Sequence, residues 1–230
     1  MIDLDTIFTE EEKKDINESI SAAEKKTSAE IVPMITDASG RYDRGEDLFG
    51  VVLACLCVAF FWWAFQGTSE GHGWAASLAP NIDYGLPWVI ATFLFAFVVG
   101  AILASTFWPL RQLFTPRKEM EECLQSGAER AFHVHALGRS ESQMGVLIYV
   151  SLFERMVYVL GDAAVAEKFA DADFHEVKDA VVAGFKADHG ADGMKKAIEL
   201  LGEKLARDFP AGKDRKNEIP NELILFEQNL

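Results

Sequence analysis

The sequence predicts a small mixed-sheet α/β sandwich interrupted by a two-helix transmembrane hairpin. Three observations predict it. Two uncharged apolar stretches, 48–68 and 86–110, each match the roughly 20 residues that cover the hydrocarbon core of a bilayer. Outside them, short runs rich in β-branched residues accompany segments of helical periodicity. Neither flank holds enough sheet to stand alone, so the two must join across the insertion.

Residues 1–47 form the first part of the α/β domain. A helix is expected over 10–26, opened by a capping box between Thr9 and Glu12. Ile16, Ile20 and Ala23 mark its apolar stripe, with Asp15, Glu18 and Lys25 on the wet face. Residues 30–35 read as a short strand. Pro33 has no amide hydrogen, which demotes that strand to a sheet edge or a bulged position. A polar connection over 36–47, with Gly40 and Gly45, leads into the first span.

A soluble core helix of this length carries a polar face, and neither span shows one. Trp62, Trp63, Trp74, Tyr84 and Trp88 gather toward one interface, and Phe49, Phe107 and Trp108 toward the other, as aromatic belts do. Gly50 and Ala54 in the first helix, and Ala96, Gly100 and Ala104 in the second, recur at four-residue spacing. They suit close backbone packing, although small residues are common in membrane helices anyway. Antiparallel alignment puts Gly50 level with Ala104 and Ala54 level with Gly100. No ionisable side chain lies within either span, so an ion pathway has no support.

Orientation follows from the flanks. The short loop at 69–85 carries Glu70 and Asp83 but no Lys or Arg, whereas Arg41, Arg44, Arg111, Arg117 and Lys118 border the hairpin. The positive-inside rule then places both termini and the soluble domain in the cytoplasm, on a multi-pass protein of the inner membrane. No basic n-region precedes an apolar h-region at the N-terminus, so no cleaved signal peptide is expected.

Residues 111–210 complete the domain. Thr115-Pro116 reads as an N-cap with proline at the first helical position, and the helix runs to about His135. Met120, Leu124, Ala128, Ala131 and Phe132 form its inner face. A loop follows at 138–143. The nearly continuous apolar run 145–150 marks a strand covered on both faces, and 156–160 is its antiparallel partner across a turn at Phe153 and Glu154. Three helices, 163–169, 174–188 and 192–207, lead to Pro210. The tail, 211–230, holds a polar linker at 213–216 and then an apolar peptide, Leu223-Ile224-Leu225-Phe226. The first strand, the post-membrane helix and the second strand make a crossover unit into which the hairpin is inserted.

The formal net charge is −14. Residues 1–47 hold thirteen acidic against six basic side chains, and residues 109–230 hold 21 against 16. An acidic soluble part argues against nucleic acid, which needs clustered Lys and Arg, and against broad adhesion to anionic lipid. The hairpin is left as the anchor. Cys55 and Cys57 lie in the first span and Cys123 outside it, which is neither a disulfide framework nor zinc spacing.

Several stretches then resemble, in order, motifs of the TPM domain family. They are Ala23-Glu24-Lys25-Lys26-Thr27-Ser28-Ala29-Glu30-Ile31-Val32 and Gly145-Val146-Leu147-Ile148-Tyr149-Val150-Ser151-Leu152-Phe153-Glu154-Arg155 with Gly161-Asp162. Asp192-Gly193 before a helix, Phe209-Pro210 at its end and Glu218-Ile219-Pro220-Asn221-Glu222-Leu223 in the tail complete the set. The pattern is similar to the membrane-embedded bacterial branch, in which two spans interrupt the domain. The resemblance implies a TPM-like α/β sandwich, divalent-cation binding (Ca2+ or Mg2+) in some members, and acid phosphatase activity in a thylakoid relative linked to photosystem repair. It also implies a domain outside the cytoplasm, which the flanking charges oppose. Ser140-Glu141-Ser142-Gln143-Met144 stands where the branch carries Thr- and Arg-rich residues, which weighs against phosphate binding by that loop.

No nucleophile elbow, Walker loop, zincin helix or kinase set is present. His133 and His135 are two apart, poor ligand spacing on a helix, and read as solvated or capping groups; His175 and His189 read likewise. Cys123 reads as a core residue, and Asp171, Asp173 and Glu176 as caps and first-turn charges. Topology supplies the one candidate site. If the strands starting at Glu30 and Gly145 are parallel, their carboxyl ends share the edge where open α/β sheets bind ligands, and that edge should face the bilayer. Asp37 follows the first strand; Ser151 and Glu154 follow the second, with Arg155 beside them. Their oxygens suit a hard divalent cation, the alternative being turn residues in water. Asp162 belongs to the opposite edge. The functional expectation is an accessory module that docks a membrane-protein partner, using the apolar C-terminal peptide as an added strand. The alternative is a divalent-metal-dependent phosphatase.

Overall fold

The computed structural model describes residues 4–66, 85–134, 144–211 and 219–227. Trp74, Tyr84, His135, the loop at 138–143 and the linker at 213–216 lie outside the described residues, as does 69–84. The chain packs as two compact units, one made of residues 1–41 and 117–230 and the other of 42–116. The second unit holds α2 (Asp43–Gln66), α3 (Leu86–Thr106) and α4 (Trp108–Phe114).

The first unit is built on a four-stranded mixed sheet of order β3-β2-β1-β4. Before it comes α1 (Glu10–Glu24), which starts as its sequence requires. Thr9 N–H donates to Glu12 Oε2 (2.8 Å) and Glu12 N–H donates to Thr9 Oγ1 (3.2 Å). β1 (Glu30–Thr36) and β2 (Gly145–Ser151) are parallel, in unbroken register from Glu30↔Gly145 to Thr36↔Ser151. The crossover helix α5 (Arg117–Val134) precedes β2, and β3 (Met156–Gly161) returns antiparallel to it. After β3 come α6 (Ala163–Lys168), α7 (His175–Lys186) and α8 (Gly190–Asp208). Ile31, Ile35, Ile148 and Val150 pack with residues of α1, α7 and α8 on one face, while Val32, Met34, Leu147 and Tyr149 pack with α5 on the other. Burial on both faces explains why 145–150 shows no alternation.

Pro33 departs from expectation. β1 is internal, and the register passes through Pro33↔Ile148 without a bulge. The reason is direction. Glu30 N–H donates toward β2, to Met144 O, and Ile31 N–H turns the other way, to Glu24 Oε1 at 2.8 Å. Alternation puts position 33 on the side of 31, where the ladder to β4 (Ile224–Phe226) begins only at Met34. The missing amide hydrogen falls where no strand needs it.

The apolar tail peptide is also corrected, because it is not held out for a partner. Ile224–Phe226 pairs with Met34–Thr36, and the residues before it are pinned to α1. Leu223 N–H donates to Asn17 Oδ1 (2.9 Å), and Asn221 Nδ2 to Ser21 Oγ (3.2 Å).

In the second unit the expected single span 86–110 breaks at Phe107, which is extended (φ −103°, ψ 94°). Pro109 lacks an amide hydrogen, and its ring would clash with the carbonyl of Ser105 in a continuous helix. Thr115 serves α4 rather than capping α5, since its hydroxyl donates to Arg111 O (2.9 Å). Arg111 in turn pairs with Glu46 (3.4 Å) and lies over the Tyr42 ring. Between α2 and α3, a Cβ on Gly100 would sit 2.8 Å from Gly50 Cα, and one on Gly50 would sit 3.0 Å from Phe97 O. Gly50 therefore meets Gly100 rather than Ala104, one turn from the equal-depth alignment, because two glycines permit the closest approach. Ala54, Ala96 and Ala104 are buried. At 1.5 Å per residue, α2 and α3 span about 36 and 32 Å, and both are long and apolar enough to cross a membrane. Their outward residues are bare: Trp63 is 77% exposed and Phe95 74%.

Candidate functional site

The parallel strands end together. Thr36 pairs with Ser151 on one side and with Phe226 on the other, so three carboxyl ends share one sheet edge. The chains leaving β1 and β2 stay stitched beyond the strands. Leu152 N–H donates to Thr36 O (3.1 Å) and Phe153 N–H to Asp37 O (2.9 Å). Thr36 Oγ1 holds the first turn by donating to Ala38 O (3.1 Å) and Asp37 Oδ1 (3.3 Å).

Glu154 is the centre of the cluster. Buried at the β2–β3 turn, it accepts from Ser39 N–H at Oε1 (2.9 Å) and from the Ser151 hydroxyl at Oε2. Thr36, Asp37, Ser39 and Ser151 are buried with it. Arg130 reaches in from α5, donating to Ser39 O (3.3 Å). The Tyr149 phenol packs against Gly127, where an added Cβ would lie 2.8 Å from its oxygen and 3.1 Å from Ser39 Cβ. Glycine at 127 makes room for the hydroxyl end of this network.

Of the residues named from sequence, Ser151 and Glu154 touch, and Asp37 lies on the loop that Glu154 holds. Asp162 caps α6, and its amide donates to Gly145 O at the other end of the sheet. Among the described residues no three His, Cys, Asp or Glu side chains gather as a metal cluster. The oxygen donors have the hard character Ca2+ or Mg2+ takes, but Glu154 already serves two donors. A cation here has to compete with the Ser39 amide and the Ser151 hydroxyl. Sequence reasoning missed Thr36, Ser39, Arg130 and Tyr149. Only the polar 36–39 stretch directly after an apolar strand marked the place.

Burial pushes the Tyr149 phenol above its ordinary value near 10. A hydrogen bond with Ser39 opposes the shift, Glu154 adds to it, and Thr36 and Arg130 pull back. The stability consequence has one sign. An unfolded tyrosine ionises near pH 10 while the folded one resists. The Tyr149 contribution is therefore complete below pH 10 and is lost as pH rises through the higher folded value. Thermal melts of the full chain from pH 8 to 11 should fall more steeply above pH 10 for the wild type than for Tyr149→Phe. Parallel slopes would show that Tyr149 does not titrate differently on unfolding.

The comparisons agree with this architecture. Residues 102–204, from the end of α3 into α8, match a family model described as the TPM domain. The NMR structure of BA42 protein from the psychrophilic bacterium Bizionia argentinensis is similar in fold. It has a TM-score of 0.56 and 20% identity, covering 98% of this chain and 100% of that one. No curated protein matches the chain.

Proposed function

We propose, for a chain that carries a TPM domain, that it acts as a membrane-anchored accessory module at the inner membrane, docking onto a membrane-protein partner. The bare apolar surface of α2 and α3 carries the reading. Exposed aromatic and aliphatic side chains run along both helices, in a chain whose other unit is acidic and already has its own core. Lipid is the solvent that suits such a surface. With the C-terminal peptide committed to its own sheet, the hairpin becomes the surface for a partner within the bilayer.

Reporter fusions test the anchoring. Alkaline phosphatase joined to either terminus should be inactive, and a fusion within 71–79 should be active, as the uncharged-or-acidic loop and the basic flanks require. Active terminal fusions would overturn the orientation. Inactivity at all three sites would overturn the hairpin's crossing.

A divalent-metal-dependent phosphatase is the second reading. Its motivation is the meeting of Ser151 and Glu154 beside the Asp37 loop at the edge of the sheet. Purified full-length protein should be offered an aryl phosphate with and without millimolar Ca2+ or Mg2+. Turnover lost in both Asp37→Asn and Glu154→Gln would replace the accessory reading. No turnover, together with no cation-dependent melting shift, would retire the metal reading.

A further inference from the structure

A hollow of about 360 Å3 opens in the first unit between the β2–β3 turn and the last turns of α7. Leu152 and Met156 line it from the sheet side, Val182 and Phe185 from the helix, and its two charged lining residues are both cations, Arg155 and Lys186. Among the described residues neither cation is ion-paired, in a chain of net charge −14. Both side chains are exposed, so their charge is accessible to an anionic group that enters the hollow.

Two further observations point to use. Arg155 is left-handed (φ 53°), a conformation that suits glycine or asparagine and strains other side chains. Strained backbone of this kind clusters at ligand clamps. The apolar wall is also preformed. Phe185 is backed by the Phe8 ring, 6.2 Å away between centroids, and by Gly190, where a Cβ would press to 3.1 Å of the Phe185 ring.

We propose that this hollow binds a small amphiphilic carboxylate, such as an arylalkanoate or a medium-chain acid. The head lies on Arg155 and Lys186, and the body runs along Phe185 and Val182. The guanidinium fork matches a planar carboxylate through two parallel hydrogen bonds. An aryl phosphate is the competing anion, and the test below separates it from a carboxylate. The volume sits at the low end for ligand pockets, enough for a phenyl ring or a short hydrocarbon chain and too small for a nucleotide. The proposal goes beyond the anchoring reading and does not depend on it.

Fluorine NMR of 3-(4-fluorophenyl)propanoate, added to full-length protein in lipid nanodiscs, tests it, with empty nanodiscs as the partition reference. Saturable broadening, reversed by octanoate, is expected. Arg155→Asn suits the left-handed backbone and keeps the fold, so it isolates the charge. It and Lys186→Gln should each weaken binding at least tenfold, and Val182→Trp should abolish it by filling the hollow. The matching alcohol, 3-(4-fluorophenyl)propanol, should bind at least tenfold more weakly. No saturable binding at millimolar ligand, unchanged affinity in both charge variants, or tighter binding of 4-fluorophenyl phosphate would overturn the proposal.

Discussion

Glu154→Ala is expected to destabilise the α/β unit by about 2–6 kcal/mol. The carboxylate accepts from the Ser39 amide and the Ser151 hydroxyl, both buried. Stripping the acceptor from a buried donor costs about 1–3 kcal/mol each. Glu154→Gln keeps the shape but has one carbonyl oxygen for two donors, so an intermediate loss is expected. Ser151→Ala removes one donor and leaves the buried Glu154 carboxylate one hydrogen bond short, while the Ser39 amide still holds it, so it should cost the least, about 1–2 kcal/mol. Hydrogen exchange of the full chain in micelles reads the effect locally, in peptides covering 36–41 and 151–156. Protection there should fall by roughly 30-fold or more in Glu154→Ala, the ratio that about 2 kcal/mol implies. An order other than Ala, Gln, then Ser151→Ala would show that the two loops are held by something besides this carboxylate.

The same cluster marks how far a sequence can be read. Ser151 and Glu154 are three residues apart across a tight turn, so local geometry alone brings them together. The Thr9–Glu12 box and the apolar run of β2 are legible for the same reason: each is decided within a few residues. Parallel pairing of β1 with β2 was accessible through the crossover argument, although the whole of the second unit, 42–116, intervenes in sequence between the two strands. Ser39 and Glu154 are 115 positions apart. No periodicity encodes that contact, because it exists only once both strands share a sheet. Tyr149 is similar: its hydroxyl fits because α5 offers a glycine at 127, a complementarity between two elements rather than a pattern in either.

Pro33 and the tail show the opposite failure, in which a correct local rule gave an incomplete global answer. Proline does avoid a ladder position, but the rule concerns one side of a strand, and β1 has two. The apolar peptide at 224–226 does add to a sheet edge, but the edge belongs to the same chain. A three-residue strand has little signal of its own, and Asn17 and Asn221 anchor it through side chains that read as ordinary surface residues. The break at Phe107 is a third case. Hydropathy continues past it, so only the backbone chemistry of Pro109 reveals where the helix stops.

Gly193→Val should lower stability by about 3 kcal/mol or more, and Gly193→Ala by about 1–3 kcal/mol, less the gain in helix propensity of about 1 kcal/mol. A Cβ at Gly193 would lie 2.8 Å from Ala180 O and 2.8 Å from Gly184 Cα, and one at Gly184 would lie 2.5 Å from Gly193 Cα. These neighbours are backbone atoms, which cannot swing aside as a side chain can. The helices must separate, and separation uncovers the buried residues they share, among them Val177, Val181, Met194 and Ile198. Once α7 and α8 have moved apart, a second methyl meets less resistance. Gly184→Ala combined with Gly193→Ala should therefore cost less than the sum of the singles. Lys196→Val, on the exposed face of the same helix, controls for the intrinsic penalty of a β-branched residue and should cost a few tenths of a kcal/mol. Thermal melting followed by circular dichroism measures all five variants. For a domain of this size, about 3 kcal/mol corresponds to roughly 6–12 °C. Gly193→Val melting level with Lys196→Val would show that the two helices do not depend on this crossing.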